Sequence, residues 1–177
     1  LFVDGLIVSF LLGAGNLSAI QIVAPVATFV NLIYWMIGLG GSVLCSVAKA
    51  EFDSDKSNGY FTVAIMSLLA IGILIAVFGL AFSGSIAKFL CASQSALIPD
   101  VNSYFVSLII GMPFLCYMMS LSYFIRADGI PTLPFRAILL ANIINICFDV
   151  IYIKFFALGI GGAALASSTG FLMGSIF

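Results

Sequence analysis

The chain has 177 residues, of which 63% are apolar and only 7% are charged, with a formal net charge of −1. A soluble domain carries about 25% charged residues, so this composition excludes a water-soluble fold and predicts a surface that mostly faces lipid. The charge balance does not suggest a nucleic-acid partner, and the sequence contains no histidine, which excludes histidine-based metal sites.

Apolar runs separated by short polar connections follow one another along the chain. A helix that crosses a bilayer needs about 20 apolar residues, and backbone groups in lipid must be paired within the helix. Four runs meet this length, and the first and last are expected to be incomplete helices of a longer protein. The predicted helices span residues 1–12 (partial), 20–48, 60–82, 102–125, 133–157 and 160–177 (partial). The sequence therefore predicts an all-α, polytopic membrane bundle that forms a single transmembrane unit over 1–177.

The connections carry most of the basic residues and indicate an orientation. Four basic residues fall on one side of the predicted bundle and two on the other: Lys49, Lys56, Arg126 and Arg136 against Lys88 and Lys154. This excess predicts that the first side is cytoplasmic. For the connection at 83–100 the sequence leaves two alternatives open, a short interfacial helix or a loop.

Two carboxylates lie inside apolar runs. Asp4 is in the first run and Asp149 in the fifth, and a charged side chain at mid-membrane costs about 2.5–3.5 kcal/mol on insertion scales. Such residues usually bind or relay an ion. For Asp149 this interpretation is favoured over a structural hydrogen bond, whereas for Asp4 both stay open, because its depth does not follow from an incomplete helix.

Asp149 shares a predicted helix face with two carboxamides. Asn142, Asn145 and Asp149 are spaced i, i+3 and i+7, which places them on one stripe. Together they offer oxygens to a small cation, or the carboxylate could hold a proton, because desolvation favours its neutral form. The alternative is a polar seam between two helices, worth about 0.6 kcal/mol per hydrogen bond. That alternative would not require a carboxylate.

Prolines and aromatic residues within the runs allow weaker predictions. Pro25 and Pro113 lie inside the second and fourth runs, where each could kink its helix, although membrane helices also tolerate proline without such a role. Phe29, Tyr34 and Trp35 could contact a cationic substrate through their rings. Aromatic residues of membrane helices more often face lipid, so the sequence assigns these three no role.

Five stretches along the chain form an ordered set of motifs: Asp4 within VDG, LSAIQIVAPV, FIRADGIP, NIINICFDVIYI and LGIGGAALASS. Their content and order resemble the multidrug and toxic-compound extrusion (MATE) family over essentially the whole chain. The resemblance implies the amino-terminal six-helix lobe of a twelve-helix, two-lobed transporter. Family members export amphipathic, often cationic drugs and toxic compounds in exchange for Na⁺ or H⁺ by alternating access.

The resemblance also implies a site and a setting. The ion-coupling residues would be Asp4, Asn145, Asp149 and the Ser167 hydroxyl, where the family often has threonine, and a bound Na⁺ would lie among them. Asn142 could extend this polar face. Expected partners are membrane lipid, small amphipathic or cationic substrates and a carboxy-terminal lobe of the same chain. No cofactor is expected besides the coupling ion, and the expected location is the bacterial cytoplasmic membrane.

The sequence disfavours two other functions. A lipid-linked precursor flippase of the same superfamily would be expected to line its cavity with basic residues. Here Lys49, Lys56, Arg126 and Arg136 are interpreted as loop residues, which disfavours it. An intramembrane enzyme needs a nucleophile with a base or a metal cluster, and neither HExxH nor GxSxG occurs, so the sequence predicts that the protein is not an enzyme.

Overall fold

The computed structural model describes residues 14–92 and 94–176, with side chains from Leu17 onward. Asp4 and the partial helix predicted at 1–12 lie outside the described residues. The described helices are α1 (Ala14–Ala50), α2 (Ser54–Ala81), α3 (Ser83–Cys91), α4 (Ile98–Ala127), α5 (Thr132–Val150) and α6 (Gly159–Ile176), with a 3₁₀ turn at Ser95–Leu97 and a π-helical turn at Ile151–Phe155. In this part of the chain, five helices are long and apolar enough to cross a membrane.

The connection at 83–100, for which two alternatives were open, contains the short helix α3. Its Ala87 and Cys91 are buried on one face, while Lys88 and Phe89 are exposed. The buried pair is spaced i, i+4, so one stripe of α3 packs on the bundle, mainly against α4. Because α2 runs the length of the bundle between the α1–α2 connection and α3, the helix α3 lies at the end opposite to that connection.

Helix α4 is the centre of the bundle and contacts α1, α2, α3 and α6, whereas α5 packs mainly on α6. Glycines permit these close approaches, because a Cβ at Gly111 would lie 2.1 Å from the Ser168 Oγ on α6, and one at Gly38 would lie 3.0 Å from the Ser120 Oγ on α4. Small residues at helix interfaces are typical of membrane bundles.

The prolines and the basic residues can be placed on this frame. Pro25 and Pro113 lie inside α1 and α4, which continue on both sides of them, and their action as kinks stays a prediction. Lys49 at the end of α1 forms an ion pair with Asp128 in the α4–α5 connection. These two connections therefore lie at the same end of the bundle.

Candidate functional site

The carboxylate of α5 is in the interior of the bundle. Asp149 is completely buried and Asn145 is 8% exposed. Helix α6 approaches this part of α5 closely because Gly170 has no side chain: a Cβ there would lie 2.6 Å from the Ala141 carbonyl oxygen and 3.2 Å from the Asn145 Cβ. The glycine thus places the polar face of α5 directly against α6.

A hydrogen bond between two predicted site residues joins α5 to α6. The Asn145 Nδ2 donates to the Ser167 Oγ over 2.9 Å, although the residues are 22 positions apart. Because the amide nitrogen is the donor, this bond does not occupy the Asn145 carbonyl oxygen. The structure therefore brings an amide, a hydroxyl and, one turn further along α5, a buried carboxylate into one region.

A change in helix geometry follows Asp149 directly. From Ile151 to Phe155 the chain forms a π-helical turn, a feature found frequently at functional sites. Tyr152 in this turn places its hydroxyl 3.4 Å from the Thr169 Oγ1 on α6. Since the Thr169 hydroxyl donates to the Leu165 carbonyl over 2.8 Å, the tyrosine is the donor. The π turn is thereby hydrogen-bonded to α6, the helix to which Asn145 also donates.

Asn142 differs from the other two polar residues of α5. Its side chain is exposed, and its amide donates to the Ile138 carbonyl of its own helix over 2.8 Å. The predicted stripe of three residues is therefore divided, with Asn145 and Asp149 buried and Asn142 facing open space. Any contribution of Asn142 to ion binding stays a prediction.

Beside this polar region is a cavity of about 380 Å³ between α1, α4, α5 and α6. Asn145 and Ser167 form part of its wall. The other lining residues are mostly apolar or aromatic: Ile20, Ala24, Ala27, Thr28, Asn31, Trp35, Tyr104, Leu108, Met112, Leu115, Met119, Asn142 and Phe171. A largely apolar cavity with a few polar groups suits an organic ligand, and aromatic rings favour a cation. None of these described lining residues is a lysine or an arginine.

Asn31 and Trp35 line the cavity, although the sequence pattern assigned neither of them a role. Their i, i+4 spacing and the presence of a carboxamide inside an apolar run were the available signals. Of the other aromatics considered, Tyr34 is buried and Phe29 is exposed.

Comparisons with known proteins agree with this architecture. The family model described as MatE matches residues 1–151. The chain is 30% identical over 170 residues to the "Multidrug export protein MepA" of Staphylococcus haemolyticus (strain JCSC1435), which covers 96% of this chain and 37% of that protein. It is 28% identical to the protein of the same name from Staphylococcus aureus (strain MRSA252), with coverage of 96% and 38%.

A solved structure shares the fold. The "Crystal structure of MATE in the bent conformation" matches with a TM-score of 0.88 at 21% sequence identity, covering 98% of this chain and 38% of the other. The chain thus spans between a third and two fifths of the length of the proteins it matches. From the family model, which covers most of its length, and from a bundle with the same fold, we conclude that this membrane chain belongs to the MatE family, as the sequence motifs predicted.

Proposed function

We propose that this chain is one lobe of a cation-coupled antiporter that exports amphipathic or cationic compounds by alternating access. The observation that carries the proposal is the shared wall: Asn145 and Ser167, hydrogen-bonded to each other, line the cavity, and Asp149 is buried one helical turn away. The names of the MepA relatives, which are multidrug export proteins, agree with the substrate class.

Two kinds of ligand would meet at this wall. The organic substrate would occupy the cavity, with its apolar part against Met112 and Phe171 and a positive charge near the ring of Trp35 or Tyr104. A cation or proton would bind at Asp149, whose buried carboxylate lies on the helix face that also carries Asn145. Asn145 and Ser167 stand between the two ligands, so they are suited to transmit the presence of one to the other.

The coupling ion is proposed as Na⁺ or H⁺. For Na⁺, the Asp149 carboxylate, the Asn145 carbonyl and the Ser167 hydroxyl are oxygen donors, which hard cations prefer. Whichever ion binds, exchange requires that it bind the two conformations of the protein with different affinities.

The flippase alternative predicted basic residues in the cavity. The described lining contains none, while Lys49 pairs with Asp128 at the end of the bundle. A lipid pyrophosphate would therefore meet amides and aromatic rings in this wall, which is poor compensation for its charge. The cavity is better suited to a neutral or positively charged substrate.

The test uses the full-length protein in proteoliposomes and follows the efflux of a fluorescent organic cation under a Na⁺ gradient or a pH gradient. Asp149→Asn is compared with Asp55→Asn, the same chemical change at an exposed position in the first turn of α2. We expect gradient-driven efflux in the wild type and the control and its loss in Asp149→Asn, with equal amounts of folded protein by size exclusion. Efflux that persists in Asp149→Asn would refute the coupling role, and a gradient-independent wild type would refute the antiporter.

A further inference from the structure

The connection between α1 and α2 contains a phenylalanine in an unusual position. Phe52 is 96% exposed and has a φ of +60°. Its amide donates to the Lys49 carbonyl over 3.1 Å, and the next amide, of Asp53, donates to the Ala48 carbonyl over 3.0 Å. This is the hydrogen-bond pattern of a Schellman cap, in which the left-handed residue is usually glycine. A bulky residue with this backbone conformation is strained.

Phe52 thus combines backbone strain with an apolar side chain that no described residue covers. In water a glycine would remove both penalties. The position favours a phenylalanine only if the ring contacts an apolar medium outside the bundle. Helix α1 ends just before this residue, and its Val47 is 51% exposed on the apolar surface that approaches the turn. Lipid that covers this surface would extend to the ring.

Two phenylalanines at the other end of the bundle share these properties. Phe89 in α3 is 84% exposed and Phe155 in the π turn is 77% exposed. With Phe52 they are the three most exposed large apolar side chains of the described residues. Phe89 directly follows the exposed Lys88, and Phe155 directly follows the exposed Lys154. A ring beside an ammonium group matches a bilayer interface, where acyl chains and phosphates adjoin.

We propose that Phe52 on one membrane face and Phe89 and Phe155 on the other are seated in the lipid interface and set the depth of the bundle in the bilayer. The occupant is lipid rather than another protein, because the rings lie at both ends of the bundle, two of them beside a lysine that complements lipid phosphate. Anchors at both interfaces oppose changes in helix depth and tilt. This inference does not depend on the transported substrate or on the coupling ion.

The test uses the full-length protein with Phe52→Trp, in nanodiscs of phosphatidylglycerol and phosphatidylcholine. In parallel nanodiscs the phosphatidylcholine is brominated near the carboxyl end of one acyl chain, which quenches nearby indole. Asp55→Trp, one position into the first turn of α2, is the matched control, and the wild-type emission from Trp35 and any other native tryptophan is subtracted. Phe89→Trp repeats the measurement at the other end.

We expect the emission of Phe52→Trp and Phe89→Trp to be blue-shifted and to show a clear loss in brominated nanodiscs, with little loss for Asp55→Trp. Quenching by aqueous iodide without bromolipid quenching would place the rings in water and overturn the proposal. Shielding from both quenchers would overturn it as well, because the rings would then be covered by protein. Equal bromolipid quenching of the Asp55→Trp control would also overturn the proposal, because contact with lipid would then not distinguish the phenylalanine positions from their neighbours.

Discussion

Gly111 in α4 is predicted to be essential for the packing of α4 against α6. A methyl group there would lie 2.1 Å from the Ser168 Oγ, 2.5 Å from its Cβ and 2.7 Å from its Cα. A rotation of the serine could relieve the first contact, but the positions of its Cβ and Cα are fixed by the backbone. To restore ordinary contacts of 3.4 Å with both carbons, helix α6 would have to move away from α4 by about 0.9 Å, the difference between 3.4 Å and the 2.5 Å contact with the Cβ.

The cost of Gly111→Ala can be estimated from these contacts. Overpacking a close interface costs about 1–3 kcal/mol. The shift would also break the hydrogen bond from the Ser168 hydroxyl to the Ser107 carbonyl, which is 2.9 Å long and worth about 1 kcal/mol. Alanine in place of glycine in a helix returns roughly 0.5–1 kcal/mol. The net expected destabilisation is about 1–3 kcal/mol, the balance of these terms.

Gly40→Ala is the matched control, because Gly40 lies inside α1 and a Cβ there would meet no atom within 4 Å. The measurement is the temperature at which the full-length protein loses its monodisperse size-exclusion peak in detergent. We expect Gly111→Ala to lower this temperature and Gly40→Ala to leave it unchanged or raise it slightly. A Gly111→Ala protein as stable as the wild type would contradict the close helix packing, as would equal losses in both variants.

The same heating assay checks three further predictions. Ser167→Ala leaves the buried Asn145 amide without its acceptor and should lower the stability by about 1–3 kcal/mol. Ser167→Thr keeps the oxygen, so its stability should stay near that of the wild type. Equal losses of stability in both variants would show that the hydrogen bond is not the cause. Asp128→Asn removes the half-exposed ion pair with Lys49 and should lower the stability by less than about 1 kcal/mol. The effect should be smaller at high salt, which screens the pair. A larger loss of stability that salt does not reduce would contradict this prediction. Asn142→Ala should change the stability by no more than about 0.5 kcal/mol, because the exposed amide forms a hydrogen bond only within its own helix. Destabilisation as large as that caused by Asn145→Ala would contradict this and would indicate that Asn142 packs with Asn145 and Ser167.

Some of the candidate site was predictable because it depends on local spacing. Asn145 and Asp149 are four positions apart, so any regular helix places them on one face. The same rule put Asn142 on that face, but periodicity does not determine which part of a stripe is covered by a neighbouring helix. That depends on α6, whose Gly170 meets the backbone of α5 beside Asn145 and leaves Asn142 open to the cavity.

Ser167 is a residue of the candidate site that local spacing alone could not predict. The resemblance to a known family singled out its hydroxyl, but no periodic pattern relates it to Asn145, 22 positions earlier. The hydrogen bond between them is a property of the α5–α6 interface. Asn31 and Trp35 show the opposite case, since both were visible as polar or aromatic residues within a run, and only the arrangement of four helices makes them part of one cavity.

The sequence by itself determined that the chain is a helical membrane protein and that a carboxylate lies within one of its apolar runs. These properties follow from composition and from residues a few positions apart. They are determined mainly by the free energy of transferring charged side chains and backbone groups from water into lipid. The tertiary structure decided which helices touch, how deeply Asp149 is buried and which side chains share the cavity. Those properties depend on contacts between distant segments. At Gly111 and Gly170, for example, the absence of a side chain sets the distance between two helices.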